Sequence, residues 1–236
     1  MKENGNEVPA GGKSVYRPNL LRTFSELKTY MESLEHPVLL LEGIRALPDA
    51  KRPVVREMGR WLAASLPGVV FRTGNAEGSD EAFAEGVASV DASRLQYVLP
   101  NPRMGQKRLD VRGKSVSLSD VSGTLRDRLG AYTVEASPKS KGLVDSFLGS
   151  HEGTRLSAQA SYLVRDTLKV LGAPEAGLSP ADAGLFFANA LDHFAGGTGH
   201  TIRACLLAHI PVILQKTWLR WMEQSETTQG ENNHGT

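Results

Sequence analysis

The chain has 236 residues, 40% of them apolar, which is enough for one α/β domain with a substantial core. Its 27 Lys and Arg balance 26 Asp and Glu, and the formal net charge of +1 excludes a global attraction to nucleic acid or membranes. One cysteine, Cys205, excludes an intramolecular disulfide. Because the start lacks an apolar signal core and no apolar run approaches the ~20 residues that span a bilayer, we expect a soluble cytoplasmic protein.

Helical and strand patterns alternate through the first half of the chain. Thr23 is a predicted N-cap of a helix that ends near Leu34, and an amphipathic helix is predicted over 53–66. Ser79 is predicted to cap a third helix, in which Asp80 suits the first turn. Short apolar runs predict buried strands over 38–41, 69–71 and 95–99.

The pattern breaks between residues 103 and 153, where Gly, Ser, Lys, Arg and Asp dominate. A structureless insert of this length is uncommon inside a compact domain, so we interpret it as a lid or small excursion over the carboxyl edge of the sheet. A disordered loop is the alternative. Its basic residues either steer an anion or form a solvated stretch: Arg103, Lys107, Arg108, Arg112 and Lys114.

Alternation resumes after the insert and sets the fold class. Helices are predicted over 156–171 and 201–208, strands over 184–188 and 210–214, and a last amphipathic helix holds Trp218. The order predicts an α/β fold with a doubly wound, mostly parallel Rossmann-like sheet, helices on both faces and right-handed crossovers. Residues 20–224 form one domain in this interpretation, and the polar ends, 1–19 and 225–236, are predicted to be disordered.

Two glycine-rich turns carry the main functional signal, Arg72-Thr-Gly-Asn-Ala-Glu-Gly-Ser-Asp80 and Ala195-Gly-Gly-Thr-Gly-His-Thr201. Each lies where an apolar run meets a helical segment. Such a turn presents backbone N–H groups and the positive end of a helix dipole, with no Cβ to keep an anion away. The two turns predict one cleft that holds a phosphate-bearing ligand from two sides. The alternative is that the glycines only permit tight strand-to-helix turns.

Three stretches resemble one protein superfamily. Residues 72–83 are similar to its R-x-G-G-A-x-G-x-D-x-x-F turn, 165–172 to its R-N-x-x-x-V-L-G helix, and 196–212 to its G-G-T-G…G-I-P-V ending. This is the SLOG superfamily of Rossmann-like domains, which groups the DNA-processing protein DprA/Smf with LOG ("lysine decarboxylase-like") nucleotide hydrolases. The resemblance covers about 37–102 and 155–214. It suggests a minimal member of a type frequent in phage and mobile-element neighbourhoods.

The resemblance implies that both glycine loops line the ligand, while the residues themselves add charge and hydroxyl donors near the strand ends. Arg165 either reaches the ligand or forms a surface ion pair with Asp166 or Asp182. The predicted ligand-binding residues are Gly43, Arg45, Arg72, Thr73, Gly74, Ala76, Gly78, Asn101, Arg165, Asn189, Gly196, Gly197, Thr198, Gly199, His200 and Thr201.

An enzymatic role is weakened by the second loop. The resemblance places Arg203 where the hydrolases keep the glutamate that takes part in cleaving the N-glycosidic bond, and an arginine cannot serve as that carboxylate. Replacements for it would be Glu77, Asp80 or Glu42 on neighbouring loops. His200 is a further candidate acid or base, or a simple turn residue. His193 lies nearby without a completing ligand set, so we expect no metal site, and no cofactor is implied.

The sequence therefore predicts a SLOG-type domain that binds a nucleotide or nucleotide-derived ligand as a sensor or modulator, in a homodimer. The first alternative is a LOG-like nucleoside 5′-monophosphate phosphoribohydrolase. The second is a DprA-like factor that binds single-stranded DNA, although no basic stripe with interleaved aromatics lies outside the insert.

Overall fold

The computed structural model describes residues 21–149 and 155–232. The strands are β1 Val38–Gly43, β2 Val70–Thr73, β3 Leu95–Leu99, β4 Lys114–Ser117, β5 Ala183–Phe187 and β6 Val212–Leu214. The helices are α1 Phe24–Glu32, α2 Arg52–Ser65, α3 Ser79–Asp91, α4 Gly123–Ala136, α5 Lys141–Gly149, α6 Arg155–Leu171, α7 Gly196–Leu207 and α8 Gln215–Asn232. None of the described helices is long and apolar enough to cross a membrane.

The six strands form one parallel sheet in the order β4-β3-β2-β1-β5-β6. This confirms the doubly wound α/β prediction. The order reverses between β1 and β5, whose last residues, Gly43 and Phe187, are paired in register. Parallel sheets of this kind open a crevice at the carboxyl ends of the strands where the order reverses.

Side chains alternate between two faces of the sheet, as the period of a strand requires. Leu39 and Leu41 pack in a cluster with residues of α1, α2, α3 and α8. Val38 and Leu40 pack in another cluster with residues of α6 and α7. The sheet is therefore covered by helices on both sides, and its crevice is the open edge between the two layers.

Two predicted helix starts differ in outcome. Thr23 is the N-cap of α1, with a capping box to Glu26, as predicted. Ser79 is not the cap of α3, because Gly78 holds that position with a φ of 84°. The Ser79 hydroxyl instead donates to the Ile44 carbonyl oxygen at 2.9 Å and fastens the helix start to the end of β1.

The predicted insert or lid at 103–153 contains regular secondary structure through residue 149, which disagrees with the alternative of a disordered loop. It adds β4 to the sheet edge and supplies α4 and α5. Its apolar residues are too sparse to show a period, yet Val116, Leu129 and Val144 are buried against Val164 and Leu168 of α6. Long-range packing, rather than local pattern, orders this segment.

Two further helix boundaries differ from the predicted ones. α7 begins at Gly196 and not at Thr201, so the second glycine loop is the first turn of the helix. α8 continues to Asn232, which corrects the disordered end predicted from residue 225. The predicted disordered segment 1–19 and the last four residues lie outside the described residues.

Candidate functional site

The crevice between β1 and β5 contains a cavity of about 610 Å³. Its walls come from the end of β1, both glycine loops, the segment after β5 and one face of α6. The lining residues are Glu42, Gly43, Ile44, Arg45, Ala76, Asp80, Gln159, Tyr162, Leu163, Arg165, Asp166, Lys169, Asn189, Ala195, Gly196, Gly197 and Thr198. The structure thus brings the two loops into one cavity.

The second glycine loop opens toward this cavity with the N-terminus of α7. The first N–H within the helix to find a carbonyl partner is that of Gly199, which donates to Ala195 at 3.0 Å. The preceding N–H groups, of Gly196, Gly197 and Thr198, therefore have no partner in their own helix. A Cβ at Gly197 would meet only one atom, an Asp166 carboxylate oxygen at 3.3 Å. This end of the helix can accept an anion.

The first glycine loop is closed by the protein itself. The Asp80 carboxylate accepts the N–H of Gly43 at 3.0 Å and that of Ala76 at 3.3 Å. The Gly74 carbonyl oxygen accepts from Arg165 at 2.6 Å, and a Cβ at Gly74 would lie 1.8 Å from the same guanidinium nitrogen. An internal carboxylate thus takes the donors that an external anion would need. Burial raises the pKa of Asp80, while Arg165 opposes that rise.

A buried group of charged side chains forms the floor of the cavity. Lys169 forms ion pairs with Glu42 and with Asp166, the latter at 2.7 Å, and Arg165 lies 3.2 Å from Asp166. Burial raises the pKa of Asp166 to about 7 and lowers that of Lys169 well below its usual range. The ion pair between them favours the charged forms of both. We call Glu42, Asp80, Arg165, Asp166 and Lys169 the charged floor.

Most of the charged floor was not among the predicted ligand-binding residues. Tyr162, Arg165, Asp166 and Lys169 have the spacing i, i+3, i+4, i+7, which places them on one face of α6. Polar residues at this spacing on a helix that must cover a sheet were the available signal. Arg165 lines the cavity, as a ligand-binding role requires. It also pairs with Asp166, but this pair is buried and is not the surface ion pair of the alternative.

Arg45 and Tyr162 lie together at the mouth of the cavity. The exposed Arg45 guanidinium carbon lies 4.9 Å from the centroid of the Tyr162 ring. A guanidinium over an aromatic face is held in place while its N–H groups stay available. Arg45 is therefore placed to bind an anion that enters the cavity.

Arg72 does not reach the cavity, and its predicted role is wrong. Its side chain is fully buried and donates to the Gln96 carboxamide oxygen and to the carbonyl oxygens of Lys169 and Ser179, at 2.8–3.0 Å. Burial lowers its pKa to about 10, and Asp182 opposes this. Arg72 ties β2 to α6 and to the chain beyond that helix.

His200 is likewise a buried structural residue. Its ring nitrogens lie 2.8 Å from the Ser137 hydroxyl and 3.1 Å from the Thr167 hydroxyl, and it does not line the cavity. Burial, with Arg203 and Lys169 nearby, lowers its pKa to about 4, so the ring is neutral at pH 7. The prediction of His200 as a ligand or acid–base residue is therefore wrong.

Arg203, at the position of the hydrolase glutamate, also points away from the cavity. Its guanidinium donates to the carbonyl oxygens of Ala136 and Phe194 and to the Ser137 hydroxyl. These bonds fasten the start of α7 to the end of α4. The residue acts on the shape of the loop rather than on a ligand.

The remaining predicted residues divide into two sets. Asn189 lines the cavity, and its carboxamide oxygen accepts the N–H of Leu191 at 2.9 Å. Glu77 is exposed, pairs with Arg108 at 3.1 Å and lines a smaller adjoining cavity together with Gly74. Five others line neither cavity: Thr73, Gly78, Asn101, Gly199 and Thr201.

Local contacts show what three of these residues do instead. The Thr73 hydroxyl accepts the N–H of Asn75, and the Thr201 hydroxyl donates to the Gly197 carbonyl oxygen. A Cβ at Gly199 would lie 2.0 Å from the Phe194 backbone, so this glycine permits a close approach. Residues 21–149 and 155–232 hold no cluster of three or more His, Cys, Asp or Glu side chains arranged for a metal.

Comparison of the chain with protein-family models, with curated proteins and with solved structures finds no match in any of the three. The resemblance of its motifs to the SLOG superfamily therefore remains a prediction.

The charged floor leads to a stability prediction. Lys169→Met leaves Glu42 and Asp166 buried without their shared cation, which costs about 3–5 kcal/mol of unfolding free energy near pH 8. The loss shrinks as the pH falls, because burial raises the pKa of Asp166 to about 7 and this carboxyl group takes up a proton in the folded state. Urea unfolding at pH 8 and pH 5 measures both effects. The control is Lys107→Met at an exposed position, and equal losses in the two variants would contradict the assignment.

Proposed function

We propose that the cavity binds the phosphate of a nucleotide or nucleotide-derived ligand, and that the protein acts as a sensor or modulator of that ligand. One observation carries the proposal. The N-terminus of α7 opens into the crevice at the reversal of strand order, and the N–H groups of its first three residues lack a partner in their own helix. The phosphate is expected at Gly196, Gly197 and Thr198.

Size and side chains support this assignment. The cavity of about 610 Å³ falls within the range of small-molecule sites, roughly 300–1,000 Å³. Thr198 adds a hydroxyl donor beside the helix end, and Arg45 lies at the mouth with an exposed guanidinium. The first loop contributes a wall through Ala76 instead of a second phosphate site, because Asp80 already occupies its donors.

Gly197→Asp tests the anion site. A carboxylate at this position fills the space before the helix end and repels a phosphate, so we expect affinity to fall on the order of 100-fold while the protein still folds. A thermal-shift screen of nucleoside mono- and diphosphates, cyclic nucleotides, ADP-ribose-type nucleotides and short single-stranded DNA selects the ligand. Calorimetry then compares the variant with the unmodified protein.

The matched control is Gly68→Asp, in an exposed turn where an added Cβ meets nothing within 4 Å. This variant is expected to bind the selected ligand normally. Unchanged affinity in Gly197→Asp would remove the second loop from the site.

Asp166 predicts a pH dependence of binding. Its carboxyl group lies beside Gly197 and has a pKa of about 7. The charged groups that face it are Arg165 and Lys169 from α6, Asp80 from α3 and Arg45 after β1. Glu42 at the end of β1 acts on it through Lys169. A bound phosphate dianion repels the ionised carboxylate, so binding favours its protonated form. Affinity is expected to rise as the pH falls from 8 to 7, by up to about tenfold per unit, and to level off below 7.

Calorimetry between pH 6.5 and pH 8 measures this dependence for the ligand selected by the screen. Asp166→Asn is expected to bind more tightly at pH 8 and to show a flat profile, because the repelling charge is gone. Asp145→Asn, at an exposed position on α5, serves as the control. A pH profile that Asp166→Asn leaves unchanged would exclude this carboxyl group as its source.

A phosphoribohydrolase is the second candidate, and one observation keeps it testable. The Asp166 carboxylate faces the cavity beside the second loop, where a carboxylate acid or base would have to be. Its pairs with Arg165 and Lys169, together with the absence of a carboxylate at Arg203, lead us to expect no release of free base from AMP or CMP. Chromatography of the incubated nucleotide measures it. Release at an enzyme-like rate that Asp166→Asn abolishes would establish the hydrolase instead.

Binding of single-stranded DNA is less favoured by the contacts of the insert. Arg108 pairs with Glu77, and Arg112 pairs with Asp110 at 2.7 Å. Lys114 donates to the carbonyl oxygens of Ala176 and Gly177. Three of the basic side chains thus serve the fold, and the DNA arm of the screen tests what remains.

A further inference from the structure

A smaller cavity of about 160 Å³ adjoins the proposed phosphate site. The two cavities have four wall residues in common, Arg45, Ala76, Tyr162 and Arg165. A molecule anchored at the N-terminus of α7 can therefore continue past Tyr162 into the smaller space.

The outer wall of the smaller cavity is built by the insert. Met104, Gly105 and Arg108 line it. Asn75 of the first loop donates through its side chain to the Gly105 carbonyl oxygen at 2.9 Å, and Arg108 donates back to the Asn75 carbonyl oxygen at 3.3 Å. The Tyr162 hydroxyl points to the Met104 sulfur at 3.7 Å. The insert is thus fastened both to the first loop and to α6.

The walls of this cavity are suited to a flat ring. Leu99, Pro100 and Met104 provide apolar surface, and Tyr162 provides an aromatic face. The guanidinium groups of Arg45 and Arg165 lie 4.9 and 5.6 Å from the centroid of that ring. Nucleobases stack on aromatic side chains and on guanidinium planes.

A second anion is a poorer match for the same space. Arg108 already pairs with Glu77, and Arg165 already pairs with Asp166. Arg45 lies at the junction of the two cavities, where it serves a phosphate at the α7 end equally well. The chemistry of the smaller cavity is therefore that of a base site and not of a phosphate site.

We infer that the smaller cavity is a nucleobase subsite closed by residues 104–108 of the insert, so that the ligand is a nucleotide whose base stacks on Tyr162 while its phosphate binds at the N-terminus of α7. This inference rests on the proposed function. It narrows the ligand to molecules that carry both a phosphate and a heteroaromatic base.

Calorimetry with AMP, CMP, ribose 5-phosphate and inorganic pyrophosphate tests the subsite. AMP or CMP is expected to bind about tenfold or more tightly than ribose 5-phosphate, which lacks the base. Tyr162→Ala is expected to remove that advantage, so that the nucleotides and ribose 5-phosphate bind this variant with affinities within about twofold of each other. Tyr162→Phe keeps the aromatic face and should retain the preference. Met104→Ala should reduce it, whereas Val111→Ala, at an exposed position of the same insert, should not.

The outcomes separate the two proposals. If the nucleotides and ribose 5-phosphate bind equally, and Gly197→Asp weakens both, the phosphate site stands and the base subsite is overturned. Pyrophosphate that binds as tightly as AMP, with an affinity that Met104→Ala reduces, would show that the smaller cavity takes an anion, which also overturns the subsite. If none of the four probes binds the unmodified protein, the base subsite is overturned, and the proposed function is decided separately by the wider ligand screen and Gly197→Asp.

Discussion

The crevice depends on the burial of five charged side chains beneath it. Glu42 from β1, Asp80 from α3, and Arg165, Asp166 and Lys169 from α6 are each at most 5% exposed. Removing such groups from water costs several kcal/mol per ion, and close oppositely charged partners recover that cost only when their geometry is good. The ion pair between Lys169 and Glu42 therefore holds α6 against the carboxyl end of β1, and the hydrogen bond from Arg165 to the Gly74 carbonyl oxygen holds it against the chain after β2. These contacts set both the depth and the charge of the cavity.

The burial of these charges gives different roles to the two glycine loops, although the loops are similar in composition. Asp80 supplies an anion to the first loop, where it takes the N–H groups of Gly43 and Ala76. Two N–H donors at the first loop are thereby occupied before any ligand arrives. The second loop has no such internal partner in its first turn, and the nearest carboxylate, Asp166, sits beside Gly197 with its pKa raised to about 7 by burial. A phosphate at this end thus competes with a carboxylate whose charge is adjustable near neutral pH.

Elements with a strong local pattern could be predicted from the sequence, and residues whose partners are distant in sequence could not. The buried apolar runs gave β1, β2, β3 and β5 within about two residues, because a strand enclosed on both faces must be apolar throughout. Arg72 and His200 were predicted to bind the ligand because each is a polar residue in one of the two glycine-rich turns. Their partners, Ser179 for the one and Ser137 and Thr167 for the other, come from segments that no local pattern connects. The ordered structure of the insert and the pairing of Lys169 with Glu42 could not be predicted for the same reason, because both depend on partners that are distant in sequence.

Contacts with the first glycine loop hold the insert in place. Asn75 adopts a left-handed φ of 53°, which asparagine tolerates better than most residues, and its side chain is held by the carbonyl oxygen of Gly105. Gly105 itself has a φ of 71°, and a Cβ there would lie 2.5 Å from the side-chain Nδ2 of Asn75. The two turns are thus fitted to each other without a ligand. Because the wall beside Tyr162 is already in place, a ring that binds there as proposed would need little ordering of the wall, and its affinity would depend mainly on stacking.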